Sequence, residues 1–567
     1  MFAVESRPSP LPRGLPADEL FDPARALGDA ERILAAQRSR ARGERDAPTL
    51  VAEAFAAGGF ETRVDRFEAE GETLANVAAR RPGTDTSAGE IVIVAERDAA
   101  GRGGAVRAAA DTGGLLELAR SLEGRALRRT LTLVSLGGGR LDEAGARRLA
   151  ERLEPERVAA VLAVSSLGGR GELEASVVPW SNSSTRAGQR LERTAGDAVR
   201  QELGRLPGQE TAPAQLVRLA FPLGIGAQGV MLGDGLQSVR FSGSGETPSS
   251  ETDLGQIDRA RFGSLGRAVL RAVSALDGRG LTVAEPPAAY LTGPRQVIPG
   301  WSVALLGAAL LLPALVTVAD GFARVGRRRG GVGAWVLWTL AGALPFAGAV
   351  LLLRLLDLVG AVPGMGAGVA PAAEPVTLAG IVLLVALALL TGAGWWFGRR
   401  AVLRRLESLS RPSEPGAGAA VALVTCVGVL AVWALDPFAA LLLVPAVHLW
   451  SMAAIGARPP IGLALAMAGL VLPLATAVFY LERLSLDPLG GLWYWTLIVA
   501  GGEVGVAAAL LTCVLAGAFL SLLAVLASRA GEEASSPPPH RSDGRIRGPV
   551  TYAGPGSLGG TRSALRR

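Results

Sequence analysis

Two hydrophobic rhythms divide the chain. Up to about Pro294, apolar residues come in short runs separated by charged and glycine-bearing stretches. Ala26–Arg40 and Thr49–Gly58 carry the 3.6-residue spacing of helices, and Glu61–Phe67 and Ala75–Arg80 alternate as strands. Glu90–Ala95, Arg129–Leu136 and Val158–Val164 read as buried strands. Gly114–Leu122, Asp142–Leu153, Ser183–Glu202 and Arg259–Leu276 read as helices between and after them. Strands alternating with helices predict an α/β layered sheet.

From Ile298 to Leu526 the rhythm changes to apolar runs of about 20 residues, the length a helix needs to cross a ~30 Å hydrocarbon core. They fall at Ile298–Val318, Val332–Leu353, Val376–Phe397, Ala417–Ala434, Phe438–Gly456, Ile461–Tyr480 and Val504–Leu526. A shorter run, Leu492–Ala500, carries Trp493, Tyr494 and Trp495, rings suited to the membrane–water interface. The expected division is an N-terminal extension (1–21), a soluble domain (22–277), a linker (278–297), an all-α polytopic membrane domain of about seven helices (298–526) and a disordered tail (527–567).

Arginine placement orients the spans. The loops after the first, third and fifth hold Arg324, Arg327–Arg329, Arg399, Arg400, Arg404, Arg405, Arg411 and Arg458, and the tail adds Arg529, Arg541, Arg545 and Arg547. The intervening loops, near Ala361–Glu374, Asp436 and Glu482–Leu489, are poor in arginine. The positive-inside rule then predicts a multi-pass protein of the cell membrane, its tail cytoplasmic and its soluble domain extracytoplasmic. Export of that domain calls for a signal, and Met1–Leu27 has no apolar h-region, so the expectation includes an upstream signal or anchor helix.

Composition removes several chemistries. The net charge of +6 comes with no lysine, and the arginines interleave with acids, so no basic, aromatic-studded stripe for nucleic acid exists. Both cysteines, Cys426 and Cys513, lie in the apolar half. That excludes a disulfide framework and a Cys-based zinc module. The two histidines, His448 and His540, lie outside the soluble half, so Ser165, Ser166, Ser242 and Ser244 lack a histidine partner there. Gly137-Gly138-Gly139 lacks the Lys-Ser/Thr of a phosphate loop and reads as a turn. Within the apolar half Glu503 and His448 are the intramembrane candidates, set against a plainer reading at helix ends near headgroups.

The soluble half also carries a resemblance. Leu74–Gly83 is followed by Ile91-Val92-Ile93-Val94-Ala95-Glu96-Arg97-Asp98, Gly104-Ala105, Leu115–Arg120, Arg129–Ser135 and Gly145-Ala146-Arg147. Their order and spacing resemble metallopeptidase family 28, the zinc aminopeptidases and carboxypeptidases, over roughly Asp22–Leu276. Coupled to the multi-span half, the layout is similar to the attachment subunit of glycosylphosphatidylinositol transamidase. The resemblance implies a three-layer α/β zinc-aminopeptidase-like domain. It also implies two zinc ions held by a bridging Asp, two His, an Asp and a Glu, with a second Glu as base.

The family's site residues map onto mismatches. Its first His falls on Glu96, while the supporting Asp is kept as Asp98. The bridging Asp falls on Arg107, the Glu pair on Gly139 and Arg140, the later Asp on Ser165 and the final His near Glu246. Glu96, Asp98, Asp111 and Glu246 supply oxygens suited to Mg²⁺ or Ca²⁺. Against that, a guanidinium cannot shed its proton. The expectation is therefore an uncatalytic domain, without the zinc cofactor of its family, binding a peptide, an envelope component or a partner subunit. The alternatives are an active membrane-bound metallopeptidase, and a transporter or lipid-handling protein with the domain as accessory. A paired Arg107, Arg140, Glu96 and Asp98 in place of metal charge is expected as readily as four solvated loop residues.

Overall fold

The computed structural model describes residues 5–6, 21–39, 46–85, 87–169, 175–204, 210–278, 286–293, 296–327, 332–405 and 411–535. Its soluble part runs β1 (Glu5–Ser6), α1 (Pro23–Ser39), α2 (Ala47–Ala57), β2 (Glu61–Ala69), β3 (Glu72–Arg81), β4 (Glu90–Glu96), α3 (Gly104–Ser121), β5 (Thr130–Leu136), α4 (Ala144–Ala150) and β6 (Val158–Ser165). It continues through β7 (Ser176–Val178), α5 (Gln189–Leu203), α6 (Ala212–Ala220), α7 (Ala227–Gly233), β8 (Ser238–Ser242) and α8 (Arg259–Asp277). Seven strands form one sheet in the order β2-β3-β5-β4-β6-β8-β7. β5, β4, β6 and β8 are parallel, while β2, β3 and β7 run antiparallel at the flanks.

Three layers follow from alternation along β4. Ile91, Ile93 and Ala95 join the apolar cluster formed with α1, α2, α3, α5 and α8. Val92 and Val94 point the other way, into a cluster with α4 and α7. A central parallel strand covered on both faces has this continuous apolar run. The expected α/β three-layer domain is present, although α3 begins ten residues before the predicted Gly114, and Asp142 and Glu143 precede α4 rather than opening it.

The predicted extension and linker are not structureless. β9 (Tyr290–Thr292) lies within the linker and β10 (Gln296–Pro299) crosses its end at 297, and β1 pairs with β10 to give a small antiparallel sheet leading into the first membrane helix. Buried Tyr290, Leu291 and Val297 hold it down.

The apolar half contains α9 (Gly300–Arg327), α10 (Gly333–Ala341), α11 (Leu344–Leu358), α12 (Leu378–Arg405), α13 (Pro415–Leu435), α14 (Pro437–Ile455), α15 (Pro459–Ala468), α16 (Val471–Arg483), α17 (Pro488–Gly501) and α18 (Val506–Ser535). Among the described residues, seven helical stretches are long and apolar enough to span a membrane, α10 with α11 and α15 with α16 each counting as one. Pro345 opens α11, where its ring and missing N–H account for the break after α10. The expected run at Leu492–Ala500 is the middle of α17, too short to cross. α18 continues nine residues past the predicted end at Leu526, so 527–535 are helical rather than tail. The remaining tail, with His540, Arg541, Arg545 and Arg547, lies outside the described residues.

The soluble domain sits against the arginine-poor helix ends. Ser184 donates to Asp436 at 3.0 Å, between α13 and α14. Tyr480 of α16 donates to the Phe221 carbonyl, and Arg147 pairs with Glu503 at 3.3 Å. The arginine-rich ends lie at the other side of the bundle, where Arg399 stacks 4.8 Å from the Trp395 ring and Arg400 3.9 Å from Trp396.

Candidate functional site

Parallel strands deliver their C-terminal ends, and the loops that follow, to one edge of the sheet. Glu96 ends β4 there, facing Arg107 from α3 and Arg240 from β8. Burial pushes the Glu96 carboxyl up, and the two guanidiniums pull it back. Its hydrogen-bond partner is Glu143, 4% exposed, which burial and the Glu96 charge drive well above the usual range. A hydrogen bond between two carboxyls requires one shared proton, and burial beside the Glu96 charge favours the neutral form of Glu143. Asp142 and Glu143 occupy the left-handed region in succession, with φ of 49° and 56°. Each such residue costs of order 1–3 kcal/mol, a strain found chiefly at functional sites.

The other predicted positions disperse. Arg107, 7% exposed, donates to the Ser249 carbonyl at 2.8 Å. Among the described residues it makes no ion pair, so its effect on Glu96 is through space. Arg140 points outward, pairing with Glu72 and, at 3.6 Å, with Asp98. With 41% of its side chain exposed, that pairing is worth ~0–1 kcal/mol. Of the expected pairings Arg140 makes one, the half-exposed contact with Asp98, while the second cation beside Glu96 is Arg240, which the sequence reading missed. Gly139 lies in a tight turn set by Gly138, whose φ is 88° and whose amide donates to Asp98 at 2.6 Å. Ser165 is buried at the end of β6. Asp111 accepts the Ser166 and Leu167 amides at 2.7 and 3.0 Å, while burial pushes it up to about 7.

Metal does not fit this arrangement. Among the described residues no three acidic, His or Cys side chains converge as a ligand set. The carboxylates that do meet, Glu96 and Glu143, face two fixed positive charges.

Glu246 serves a different purpose. It accepts from Arg218 at 2.5 Å and from Arg483, at the end of α16, at 3.1 Å. Glu210 completes the cluster at 3.3 and 3.0 Å from the same two guanidiniums. Burial would raise Glu246, but Arg218 and Arg483 outweigh it and hold the carboxyl below its usual value. Arg218 also lies 5.5 Å from the Trp180 and Phe479 rings. The position thus joins the soluble domain to the sixth span.

A second join covers the cleft itself. The loop between α11 and α12 enters it edge-on with Gly364, Gly366 and Gly368, leaving Met365, Ala367 and Val369 buried. Gly226 donates to the Gly368 carbonyl at 2.8 Å, and on the membrane side Met365 donates to Leu497 at 3.1 Å. A Cβ on Gly366 would fall 1.3 Å from Asp142 Oδ1, and one on Gly368 3.1 Å from the Glu143 side chain. Glu503, on the α17–α18 connection outside the candidate spans, belongs to this same face through Arg147. His448 is within a span, its Nδ1 donating to the Val444 carbonyl at 2.8 Å.

Asp142, beside the loop, is raised to about 6, chiefly by burial. A raised carboxyl pKa favours the protonated folded form. Its contribution is therefore full below the unfolded value near 4 and lost as pH rises through about 6. Raising pH from 4 to 7 is expected to loosen the loop, and Asp142→Asn is expected to flatten that part of the pH profile. The check is oxidation of Met365 by peroxide, followed by mass spectrometry across the pH series.

Comparison with known proteins finds no matching family model and no matching curated protein. Solved structures do match. The chain is similar to Porphyromonas gingivalis glutaminyl cyclase, at 17% identity and TM-score 0.33, over 45% of this chain and 98% of the cyclase. It is similar to a Zn-dependent exopeptidase from Parabacteroides distasonis, at 13% identity and TM-score 0.34, over 45% and 98%. It is also similar to a Bacillus subtilis zinc aminopeptidase, at 14% and 0.29, over 36% and 50%. Each likeness is one of fold, at identities that carry no activity across.

Proposed function

We propose that this is a multi-pass membrane protein whose extracytoplasmic domain has a zinc-aminopeptidase-like fold without catalysis and acts in binding or assembly. The observation that carries the reading is the pair of fixed guanidiniums, Arg107 and Arg240, facing the carboxyls where the family's metal would need ligands. Two unit charges 4 Å apart repel by ~4 kcal/mol at an effective dielectric of 20, and a dication doubles that for each arginine. In place of a ligand set the site holds a hydrogen-bonded carboxyl pair, Glu96 and Glu143.

Covering of the cleft supports the same reading, since an exopeptidase must admit a chain end. So does the contact of the domain with the arginine-poor helix ends, the side the positive-inside rule assigns to the exterior. Zinc measured in the purified full-length protein is expected well below one equivalent. A chelator is expected to leave its melting temperature unchanged, because a site that binds no metal has no linkage energy to lose. Stoichiometric zinc together with a chelator-induced drop in melting temperature would restore the metallopeptidase reading.

A further inference from the structure

A second feature lies on the opposite flank of β4 from the Glu96–Glu143 pair. The start of β3, the ends of β4 and β5, and the N-terminus of α2 enclose a cavity of about 240 Å³. Its charged lining is Arg66, Arg97, Arg140, Asp46 and Asp98. Arg97 is the unusual member, a guanidinium only 6% exposed. It donates to the Ser135 carbonyl and hydroxyl, each at 3.1 Å, and to the Ala75 carbonyl. All three acceptors are neutral, and among the described residues no carboxylate makes an ion pair with it.

Both carboxylates of the cavity are engaged by other donors. Asp46 caps α2, accepting from the Thr49 amide at 3.1 Å and from its hydroxyl, and lies 3.9 Å from Arg66. Asp98 accepts from the Gly138 amide and faces Arg140. Arg97 is hydrogen-bonded only to neutral oxygens, with Asp98 and Asp46 acting on it through space, and three arginines against two carboxylates leave the cavity lining net positive.

We propose that this cavity binds a small oxyanion, a carboxylate or phosphate group, with Arg97 as the buried anchor and Arg66 closing on it from the rim. Its volume falls below the roughly 300–1,000 Å³ of sites for drug-sized ligands, which limits the occupant to a small anion or the charged end of a larger molecule. Planar guanidinium forks suit either group through paired charge-assisted hydrogen bonds.

The test is calorimetric titration of the full-length, detergent-solubilised protein with sodium phosphate and with sodium succinate, against chloride at matched ionic strength. The expected result is saturable binding of at least one, weakened about tenfold or more in Arg97→Gln and several-fold in Arg66→Gln, as loss of a charge-assisted donor implies. Binding of phosphate alone would assign a phosphate ligand, and of succinate alone a carboxylate. If Arg97→Gln does not fold, the half-exposed Arg66→Gln decides by itself. Failure of both anions to saturate, or wild-type affinity in Arg66→Gln, overturns the proposal. Neither outcome bears on the uncatalytic reading, which rests on Arg107, Arg240, Glu96 and Glu143.

Discussion

Replacing Arg218 with Met is expected to destabilise the full-length protein by about 3–5 kcal/mol, the cost of removing one partner from a buried ion pair. Arg218 is 2% exposed and supplies the shortest contact to Glu246. Without it, Glu246 and Glu210 depend on Arg483 alone, whose side chain is 29% exposed. Glu246→Gln should be harmful for the converse reason, leaving two cations to share one carboxylate. The double variant, Arg218→Met with Glu246→Gln, should recover part of the loss, since it removes both unmatched charges. Denaturant unfolding read by tryptophan fluorescence is the measurement, with Trp180 beside Arg218 as a reporter. Small, additive single effects would mean that the cluster is solvated and that this join between domain and spans is weak.

Gly366→Val is expected to expel the α11–α12 loop from the cleft. The added Cβ would lie 1.3 Å from Asp142 Oδ1 and 2.2 Å from its Cγ, so the loop or the Asp142 side chain that holds it must move. Overpacking of this kind costs typically 1–3 kcal/mol when the surroundings can yield, and here the loop can yield by leaving. Met365, 3% exposed in the docked state, then becomes open to peroxide. Gly348→Ala serves as the control, because a Cβ there meets nothing within 4 Å. Equal oxidation of Met365 in Gly366→Val and in the parent would show that the loop is not seated as described.

Much of the fold was legible because burial on both faces writes itself into sequence. Glu90–Glu96, Thr130–Leu136 and Val158–Ser165 are strands that the apolar runs placed within a residue or two. The helix ends that meet the soluble domain, through Asp436, Tyr480 and Glu503, are the arginine-poor ones. β8 was missed: it has only five residues, with Arg240 at its centre. The flanking Val239 and Phe241 were the available signal of a short alternating strand. Glu143 was not legible because the family's Glu pair maps onto Gly139 and Arg140, whereas the carboxyl reaching Glu96 comes three residues later.

The docked loop was the least legible part. Gly364, Gly366 and Gly368 alternate with Met365, Ala367 and Val369, and the glycines of that short period become meaningful only when Asp142 and Glu143 are seen pressed against Gly366 and Gly368. An arginine-poor loop assigned merely as a connection thus proves to be the occupant of the cleft. Its position also sets the predicted site residues apart, with Glu143 pressed beneath the loop and Arg140 at the surface with Glu72.

The most direct measurement of this arrangement is hydrogen exchange of the full-length protein in lipid nanodiscs, read over residues 361–374. The seated loop has its Met365 and Val369 amides bonded, to Leu497 and Gly366 respectively, and the Gly226 amide bonded to Gly368. Strong protection of Met365, Val369 and Gly226 is therefore predicted, with joint loss of that protection in Gly366→Val. Exchange of these amides at the rate of an open loop in the parent protein would contradict an occupied cleft, leaving the edge of the sheet free to receive something else.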